Sequence, residues 1–198
     1  MRLADRQGVA SLSMRKIAQA VGVEAMSLYN HVANKDDVLD ALLDTVVGEF
    51  ERPTIDGDWK VSIGHSALSA HRVLCKHPWA ASMMLSRVRV GPASLAWSEA
   101  TMACLHHAGF DYPLADHAWN AIDNHIYGFT LQMINSPVRP EDFAAAAKQY
   151  LPMIPADEYP HLNAMATLIA NRQHSGINDF AFGLDLILGG LQRMLDQQ

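Results

Sequence analysis

The sequence predicts an all-α protein, in which an N-terminal head of three helices containing a helix-turn-helix is joined to a larger helical domain. Apolar residues recur at helical spacing along most of the 198 residues. Strand patterns are scarce, because no convincing run of alternating β-branched residues and no Asn-Gly or Asp-Gly hairpin between such runs is present. Glycine and proline residues divide the helical stretches, as expected of residues that end helices.

Capping residues mark the helices of the head. Ser13 is a suitable N-cap for the first helix of the motif, and Gly22, which tolerates a positive φ, is expected to end it. A second short helix begins near Glu24, and Asn34 can cap the helix that follows. The core shared by the two helices of the motif is expected to contain Val21, Leu28 and Val32.

A cluster of helix-breaking residues at 53–58 predicts the domain boundary. We therefore expect a first domain at residues 1–52, with the helix-turn-helix at about 13–32, and a second domain at 53–198. The helices of the second domain are expected at residues 59–76, 79–87, 92–109, 113–136, 141–150, 157–173 and 178–196.

The composition excludes several classes of protein. Hydrophobic residues make up 49% of the chain and charged residues 18%, which is too apolar for a disordered chain. The apolar stretches are too short to span a membrane, and residues 1–6 lack the apolar segment of a secretory signal. Cys75 and Cys104 do not have the spacing of a metal site or a disulfide framework. We therefore expect a cytoplasmic protein with no membrane partner.

The charge is distributed unevenly along the chain. The formal net charge is −6, but residues 1–35 carry +3 and residues 36–198 carry −9, with histidine counted as neutral. A small basic head on an acidic body favours a DNA-contacting module attached to something else.

The head has the spacing of a DNA-binding helix-turn-helix, with its turn at residues 20–23. An ordinary helical hairpin with a solvated face would show the same pattern, so the pattern alone leaves both interpretations open. The side chains expected to project from one side can donate to phosphates and base edges, and they are Arg15, Lys16, Ser27, Tyr29, His31 and Lys35.

Residues 12–23 and 27–35 resemble the DNA-binding head of the tetracycline-repressor (TetR) family, and the string Leu-Tyr-x-His-Val-x-Asn-Lys is the specific part of the resemblance. The resemblance implies a ligand-responsive, DNA-binding transcriptional regulator, with repression expected rather than activation. The second domain is similar to that of the family's namesake branch at Asp58-Trp59, His77-Pro78-Trp79, Gly109-Phe110, Tyr127-Gly128-Phe129 and Phe182-Gly183-Leu184-Asp185.

The same resemblance implies roles for individual residues of the head. Arg15 matches a base-reading position, and Ala25, Met26 and Tyr29 match positions of the recognition helix that face bases and their methyl groups. Fewer residues precede Gly8 than in the family's usual first helix, so we expect that helix to be short. The implied DNA-binding residues are Ser13, Arg15, Ala25, Met26, Ser27, Tyr29, His31 and Lys35.

The second domain contains candidates for an effector site. Methionine and aromatic side chains suit both a pocket for a small apolar or amphipathic ligand and an ordinary core. Helix 113–136 also carries a polar stripe that includes Asp116 and Asn120, and this stripe either lines a ligand cavity or lies at a dimer seam. The predicted effector-site residues are Met83, Trp97, Trp119, Asn120, Asp123 and Tyr127.

The last helix contains a continuous apolar stripe, which is typical of a core helix or of a dimer seam. Gly183, Gly189 and Gly190 within this helix indicate a close approach of another helix. The family resemblance favours a homodimer through this helix and helix 113–136, and a palindromic operator in double-stranded DNA requires such a two-fold dimer. The predicted interface residues are Phe180, Leu184, Ile187, Leu188, Leu191 and Leu195.

Patterns typical of enzymes and metal sites are missing from the sequence. Gly-x-Ser-x-Gly, a phosphate-binding loop, the Rossmann glycines, His-Glu-x-x-His and Cys-x-x-Cys do not occur. We therefore predict a protein that is not an enzyme and that holds no metal or cofactor. Two alternatives remain open: a helical DNA-binding or adaptor protein without an effector, and an all-helical enzyme. An enclosed cavity in the second domain would favour the effector-responsive regulator.

Overall fold

The computed structural model describes residues 1–176 and 179–197, and this part of the chain is helical without a strand. The predicted all-α class is therefore confirmed, although the expected start of the last helix at Asn178 lies outside the described residues. The helices are α1 (Arg2–Gln7), α2 (Met14–Val21), α3 (Ala25–Leu28), α4 (Lys35–Val47), α5 (Trp59–Lys76), α6 (Pro78–Ser86), α7 (Pro92–His107), α8 (Tyr112–Ile134), α9 (Phe143–Tyr150), α10 (Pro160–Ala170) and α11 (Phe180–Leu195).

The chain divides into two compact units. The main unit consists of Met1–Ile134 together with Ala181–Gln198, and the second unit is Asn135–Phe180. The head therefore belongs to the same compact unit as α5–α8, and residues 53–58 connect α4 to α5 within it.

The helix-turn-helix forms at the predicted capping residues. The Ser13 hydroxyl accepts a hydrogen bond from the Lys16 amide at 3.3 Å, and Gly22 ends α2 in the left-handed conformation at φ 76°. One expectation was wrong, because Val21 is 61% exposed, while Leu28 and Val32 are only half-buried. The four-residue α3 is too short to cover the end of α2, and the buried residues of the head are Ala4, Leu12, Ala18, Leu39 and Leu43.

Helix α4 begins with a reciprocal pair of caps. The Asn34 side chain accepts a hydrogen bond from the Asp37 amide at 3.0 Å, and the Asp37 carboxylate accepts one from the Ala33 amide at 2.8 Å. This arrangement resembles a capping box and fixes the turn between α3 and α4. The opposite face of α4 buries Leu39, Leu43, Val46 and Val47.

The head is tied to α6 by a buried histidine between two carboxylates. The His77 ring lies 2.7 Å from Asp5 and 3.4 Å from Glu49, and the Trp79 indole N–H donates to Asp5 at 2.7 Å. Burial opposes ionisation of Asp5, but the hydrogen bonds from His77 and Trp79 outweigh it and lower the pKa of Asp5. These contacts hold α1 and the end of α4 against the body.

A second junction joins α4 to the segment that enters α7. The Asp44 carboxylate accepts hydrogen bonds from the amides of Ala93 at 3.1 Å and Ser94 at 2.8 Å, in the first turn of α7. Burial opposes ionisation of Asp44, but these amides outweigh it and lower the pKa of Asp44. A side chain of the head therefore caps a helix of the body.

Buried indole rings organise the core of the main unit. The Trp97 N–H donates to the Ser66 hydroxyl at 3.0 Å, and its ring meets Phe50 edge-on at 5.6 Å. The Trp59 N–H donates to the Gln192 side chain at 3.0 Å, so α5 is bonded directly to α11. Both indole donors are satisfied within the protein, as buried polar groups require.

The second unit is built around α9 and α10. Pro160 occupies the first turn of α10, where its missing N–H has no helical partner to lose. The Asn163 amide donates to the Ile154 carbonyl at 2.6 Å and so fixes the loop before α10. Leu162 and Met165 are exposed on α10.

The predicted dimer stripe of α11 requires a correction. Phe180, Leu184, Leu188 and Leu191 are buried within the protomer, while Ile187 and Leu195 are half-buried. The stripe that the sequence assigned to a partner is thus mainly a core face of α11, in agreement with the core-helix alternative. The exposed apolar residues lie elsewhere on the helix, with Phe182 at 65%, Leu186 at 62% and Met194 at 55% exposure.

Gly183 allows α11 to approach α8 closely. A Cβ atom at Gly183 would lie 2.5 Å from Cε1 of His125, a separation that side chains do not tolerate without a shift. Gly64 also faces α11, but a Cβ there would lie 3.9 Å from Leu188, which is ordinary van der Waals contact. The two glycines therefore differ in the space available to an added methyl group.

We expect Gly183→Ala to lower the free energy of unfolding by about 1–3 kcal/mol, because the added methyl group overpacks the α8–α11 contact. The matched control, Gly64→Ala, is expected to be neutral or to raise that free energy by up to about 1 kcal/mol, since alanine favours the helix. Urea unfolding followed by circular dichroism measures both. A Gly183→Ala variant as stable as Gly64→Ala would contradict the close approach.

Candidate DNA-binding face and effector site

The predicted DNA-binding residues lie on an accessible face of the head. Arg15, Tyr29 and His31 are exposed, and Lys35 is half-buried. Met26, at the start of α3, is 76% exposed. An exposed methionine in this position suits contact with a thymine methyl group, and the polar side chains suit phosphates and base edges. The remaining predicted residues, Ser13, Ala25 and Ser27, are exposed or half-buried.

Lys35 is placed at the first position of α4, where its charge lies beside backbone amides. The Asn34 and Asp37 side chains occupy the Asp37 and Ala33 amides. The amides of the first helical turn and the Lys35 ammonium together can bind an anion such as a DNA phosphate. Lys16 is oriented differently, since its ammonium donates to the Ser11 carbonyl at 2.9 Å.

Three side chains of the body form a buried polar cluster. Arg89 donates to the Tyr127 hydroxyl at 3.1 Å, and that hydroxyl donates to Oδ2 of Asp123 at 3.1 Å. Arg89 also forms an ion pair with the same Asp123 oxygen at 3.5 Å. Asp123 and Tyr127 lie one turn apart on α8, and Arg89 comes from the non-helical segment between α6 and α7.

The environment of the cluster changes the protonation of its members. Burial raises the pKa of Asp123 from its ordinary value of 3.8 to about 6, although Arg89 and Tyr127 partly oppose this effect. Burial and the adjacent Asp123 carboxylate also raise the pKa of Tyr127. A raised aspartate pKa of this kind is typical of functional sites as well as of buried ion pairs.

Trp119 adds a polar atom to this cluster one turn before Asp123. Trp119 Nε1 and Asp123 Oδ1 are both buried, and neither has a hydrogen-bond partner among the described residues. Hydrogen bonding from the Trp119 indole nevertheless favours the charged form of Asp123 and partly opposes the effect of burial on its pKa, so the contact between the two groups is weak rather than absent.

Arg89 also borders a cavity of about 530 Å³ between α4 and the segment before α7. The cavity is lined by described residues of both the head and the body, among them Asp40, Asp44, Val88 and Pro92, and none of the six predicted effector residues is in its lining. Its volume is that of a small-molecule site.

The structure brings together three of the six predicted effector residues and separates the others. Trp119, Asp123 and Tyr127 share the polar cluster, whereas Met83 and Trp97 are buried in the helical core. Asn120 is exposed and donates to the Asp116 carbonyl one turn earlier on α8, so it does not join the cluster. The polar stripe of this helix therefore divides into an exposed part and a buried part.

Sequence reasoning did not identify Arg89, the cation of the cluster. Arg89 lies outside any helical pattern, and its hydrogen-bond partner Tyr127 is 38 residues away. The only available indication was indirect, since a buried aspartate requires a cation or a donor.

Among residues 1–176 and 179–197, no group of three or more His, Cys, Asp or Glu side chains is arranged to hold a metal ion. Within those ranges, no helix combines the length and apolar character needed to cross a bilayer.

Family models match both parts of the chain. One, described as "Tetracyclin repressor-like, C-terminal domain", matches residues 53–195, and another, described as "Bacterial regulatory proteins, tetR family", matches residues 1–42. The chain belongs to the TetR family. This membership confirms the expected DNA-binding transcriptional regulator and the expectation that it is not an enzyme, because its TetR-family relatives are transcriptional regulators.

Similar TetR-family proteins include an HTH-type transcriptional regulator of Saccharopolyspora erythraea, which is 43% identical over 129 residues, or 65% of this chain and 55% of that protein. The repressor DrrR1 of Streptomyces coeruleorubidus is 28% identical over 208 residues, which cover 100% of this chain and 76% of that protein. The crystal structure of ActR from Streptomyces coelicolor in complex with actinorhodin is 30% identical, with a TM-score of 0.79 over 98% of this chain and 92% of that chain.

The raised pKa of Asp123 predicts a specific dependence of stability on pH. Because the folded protein binds this proton more tightly than the unfolded chain, the contribution of Asp123 to the free energy of unfolding is largest below about pH 4. It falls as the pH rises towards about 6, the value to which the pKa is raised. Asp123→Asn removes this titration, so we expect its free energy of unfolding, relative to the unmodified protein, to increase by up to about 3 kcal/mol across that interval.

Urea unfolding at pH values between 4.5 and 7.5 measures this difference, with Asp116→Asn on the exposed part of the same helix as the control. A constant difference between Asp123→Asn and the unmodified protein across this range would contradict the buried, proton-binding carboxylate.

Proposed function

We propose that this protein is a repressor that binds a palindromic operator in double-stranded DNA as a homodimer and releases it when a small apolar or amphipathic effector binds in the body. One observation carries the proposal: residues 87–89 contact both α4 of the head and the polar cluster on α8 of the body. Arg87 donates to Asp40 of α4 at 2.6 Å and also pairs with Asp36, whereas Arg89 bonds to Asp123 and Tyr127 of α8.

We propose that operator binding and effector binding belong to separate domains of the chain. Residues 1–52 are the DNA-binding domain and residues 53–198 are the effector-binding and dimerisation domain. The basic side chains of the head support the first assignment, and the buried polar cluster supports the second. We also propose a cytoplasmic location, because that is where a DNA-binding regulator of this bacterial family meets its operator.

The coupling between effector and DNA would run through the segment before α7. A ligand that binds the Arg89 cluster in one arrangement of this segment stabilises that arrangement, and Arg87 and Asp44 transmit it to α4. Differential affinity of the ligand for the two arrangements supplies the whole driving force. Movement of α4 changes the position of α3, because Asn34 and Asp37 fix the turn between them.

The homodimer is proposed to form through a different stripe of α11 from the one predicted by the sequence. Phe182, Leu186, Gly189 and Gly190 share one face by helical spacing, and the first two are largely exposed. Among the described residues, the one side chain within 4 Å of a Cβ atom added at Gly189 or Gly190 is Arg193, whose guanidinium would lie 3.8 Å away, so this face has room for another helix. Exposed apolar side chains beside glycines suit close helix packing between protomers.

We expect Lys35→Ala to weaken DNA binding by about 1–3 kcal/mol on all sequences and to reduce the salt dependence, because a phosphate contact carries no sequence information. We expect Arg15→Ala to cost a similar amount on the operator but less on mismatched DNA, because it reads a base. Titrations on an operator selected from random duplexes and on mutated operators measure both effects, with Lys148→Ala in α9 as the control. Equal losses for both variants on every duplex would refute the division of roles.

We expect Leu186→Glu to convert the dimer into a folded monomer, because it places a charge in the proposed apolar seam. The matched control is Leu95→Glu in α7, since Leu95 is also exposed, at 54%, but lies outside the seam. Light scattering coupled to gel filtration gives the mass of each variant, and circular dichroism reports its fold. A Leu186→Glu variant that remains dimeric would exclude this stripe as the interface.

A further inference from the structure

The cavity of about 530 Å³ lies where the segment before α7 is fastened to α4 at two points. Arg87 donates to Asp40 at 2.6 Å, and the Asp44 carboxylate accepts from the Ser94 amide at 2.8 Å. Between Asp40 and Asp44 the helix advances by only about 6 Å, whereas the extended chain at 87–92 can span about 16 Å. The segment is therefore too long to follow the helix surface closely, which accounts for the space between them.

One wall of this cavity is acidic. Asp37, Asp40 and Asp44 line it from one face of α4, as their i, i+3, i+7 spacing requires. The amides that Asp44 accepts lower its pKa, so it stays charged at neutral pH. Among the described lining residues the one cation is Arg89, and its charge is already engaged by Asp123 of the polar cluster. The cavity therefore carries an excess of negative charge.

The opposite wall is apolar and uncovered. Val88 and Val90 line the cavity from the non-helical segment, and they are 84% and 69% exposed. Leu43 and Pro92 extend the apolar lining on either side. Exposed apolar side chains beside a concavity of this volume are typical of a ligand-binding groove.

We propose that this cavity binds a small amphipathic organic cation, an ammonium group carried on an apolar body. The ammonium group pairs with the carboxylates of Asp37 and Asp40, and the apolar body covers Val88 and Val90. Such a ligand contacts α4 and the segment before α7 at the same time. The site differs from the effector site proposed at the Asp123 cluster, and it does not depend on the proposed function.

Other classes of ligand fit these two walls less well. An anion would be repelled by the carboxylates, and a neutral apolar molecule would desolvate them without compensation. A metal ion is disfavoured because Asp40 is held by Arg87 and Asp44 by two amides, and no described group of acidic side chains converges as metal ligands require. A polyamine without an apolar body would leave both valines uncovered.

The first test compares probes of one length that differ in charge. The unmodified protein is titrated by calorimetry at pH 7 with 4-phenylbutylamine, 4-phenylbutanol and 4-phenylbutyrate. We expect the amine to bind at least about fivefold more tightly than the alcohol, since partly exposed ion pairs contribute about 1 kcal/mol. The carboxylic acid is expected not to bind where the amine saturates. Spermidine, which lacks an apolar body, should bind more weakly than the amine.

The second test locates the bound amine with exposed substitutions. Asp37→Asn keeps an oxygen for the Ala33 amide but removes the charge, and Val90→Ser removes apolar surface. Each is expected to weaken binding of 4-phenylbutylamine by about threefold or more. The matched controls are Asp116→Asn on α8, which changes the net charge equally, and Val61→Ser on α5, where the valine is 55% exposed. Both controls should leave the affinity unchanged.

Several outcomes would overturn the cation site. Equal binding of the amine and the alcohol, spermidine binding as tightly as the amine, or no binding of any probe up to its solubility would each do so. Equal losses for Asp37→Asn and Asp116→Asn would indicate general attraction to an acidic protein instead. An amine that binds Asp37→Asn and Val90→Ser as tightly as the unmodified protein would lie elsewhere. These titrations contain no DNA, so their failure is distinguishable from failure of the proposed function.

Discussion

The functional arrangement of this protein depends on the capping of a body helix by a side chain of the head. Asp44 of α4 accepts the amides of Ala93 and Ser94, so the orientation of α4 and the start of α7 are set together. A carboxylate at a helix N-terminus satisfies amides that have no helical partner and interacts favourably with the helix dipole. The N-terminal cap of α4 also fixes the turn after α3. The Asp44 contact therefore sets the position of α3 and its exposed face relative to the body.

Two arginines close together in the chain face different parts of the molecule. Arg87 holds Asp36 and Asp40 on α4, and Arg89 holds Asp123 and Tyr127 on α8. A change in the position of this non-helical segment therefore alters both sets of contacts. No long chain of packed residues is required to connect the two regions, because only Val88 separates the two arginines. This short connection is the physical basis for linking a ligand in the body to DNA binding by the head.

The sequence predicted those features that local spacing controls. Ser13, Gly22 and Asn34 act over three or four residues, and the i, i+4 spacing of Asp123 and Tyr127 places them on one stripe of α8. Features that depend on distant packing were not predictable in this way. Both stripes of α11 are apolar, so periodicity could not distinguish the stripe of Leu184 and Leu188, which is buried in the protomer, from that of Leu186. Arg89 lies outside any periodic pattern and acquires its role only when α8 packs beside it.

The strengths of the junction contacts are suited to control by a single ligand. Asp36 and Asp40 are 71% and 51% exposed, so their ion pairs with Arg87 are screened by solvent and contribute at most about 1 kcal/mol each. The Asp44 cap is more protected, and such caps typically contribute about 0.5–2 kcal/mol. A coupling free energy of about 1–3 kcal/mol, which is typical of allosteric proteins, is comparable to these contacts. Under the proposed function, the junction is therefore strong enough to hold one orientation of α4 and weak enough for a ligand bound in the body to favour another.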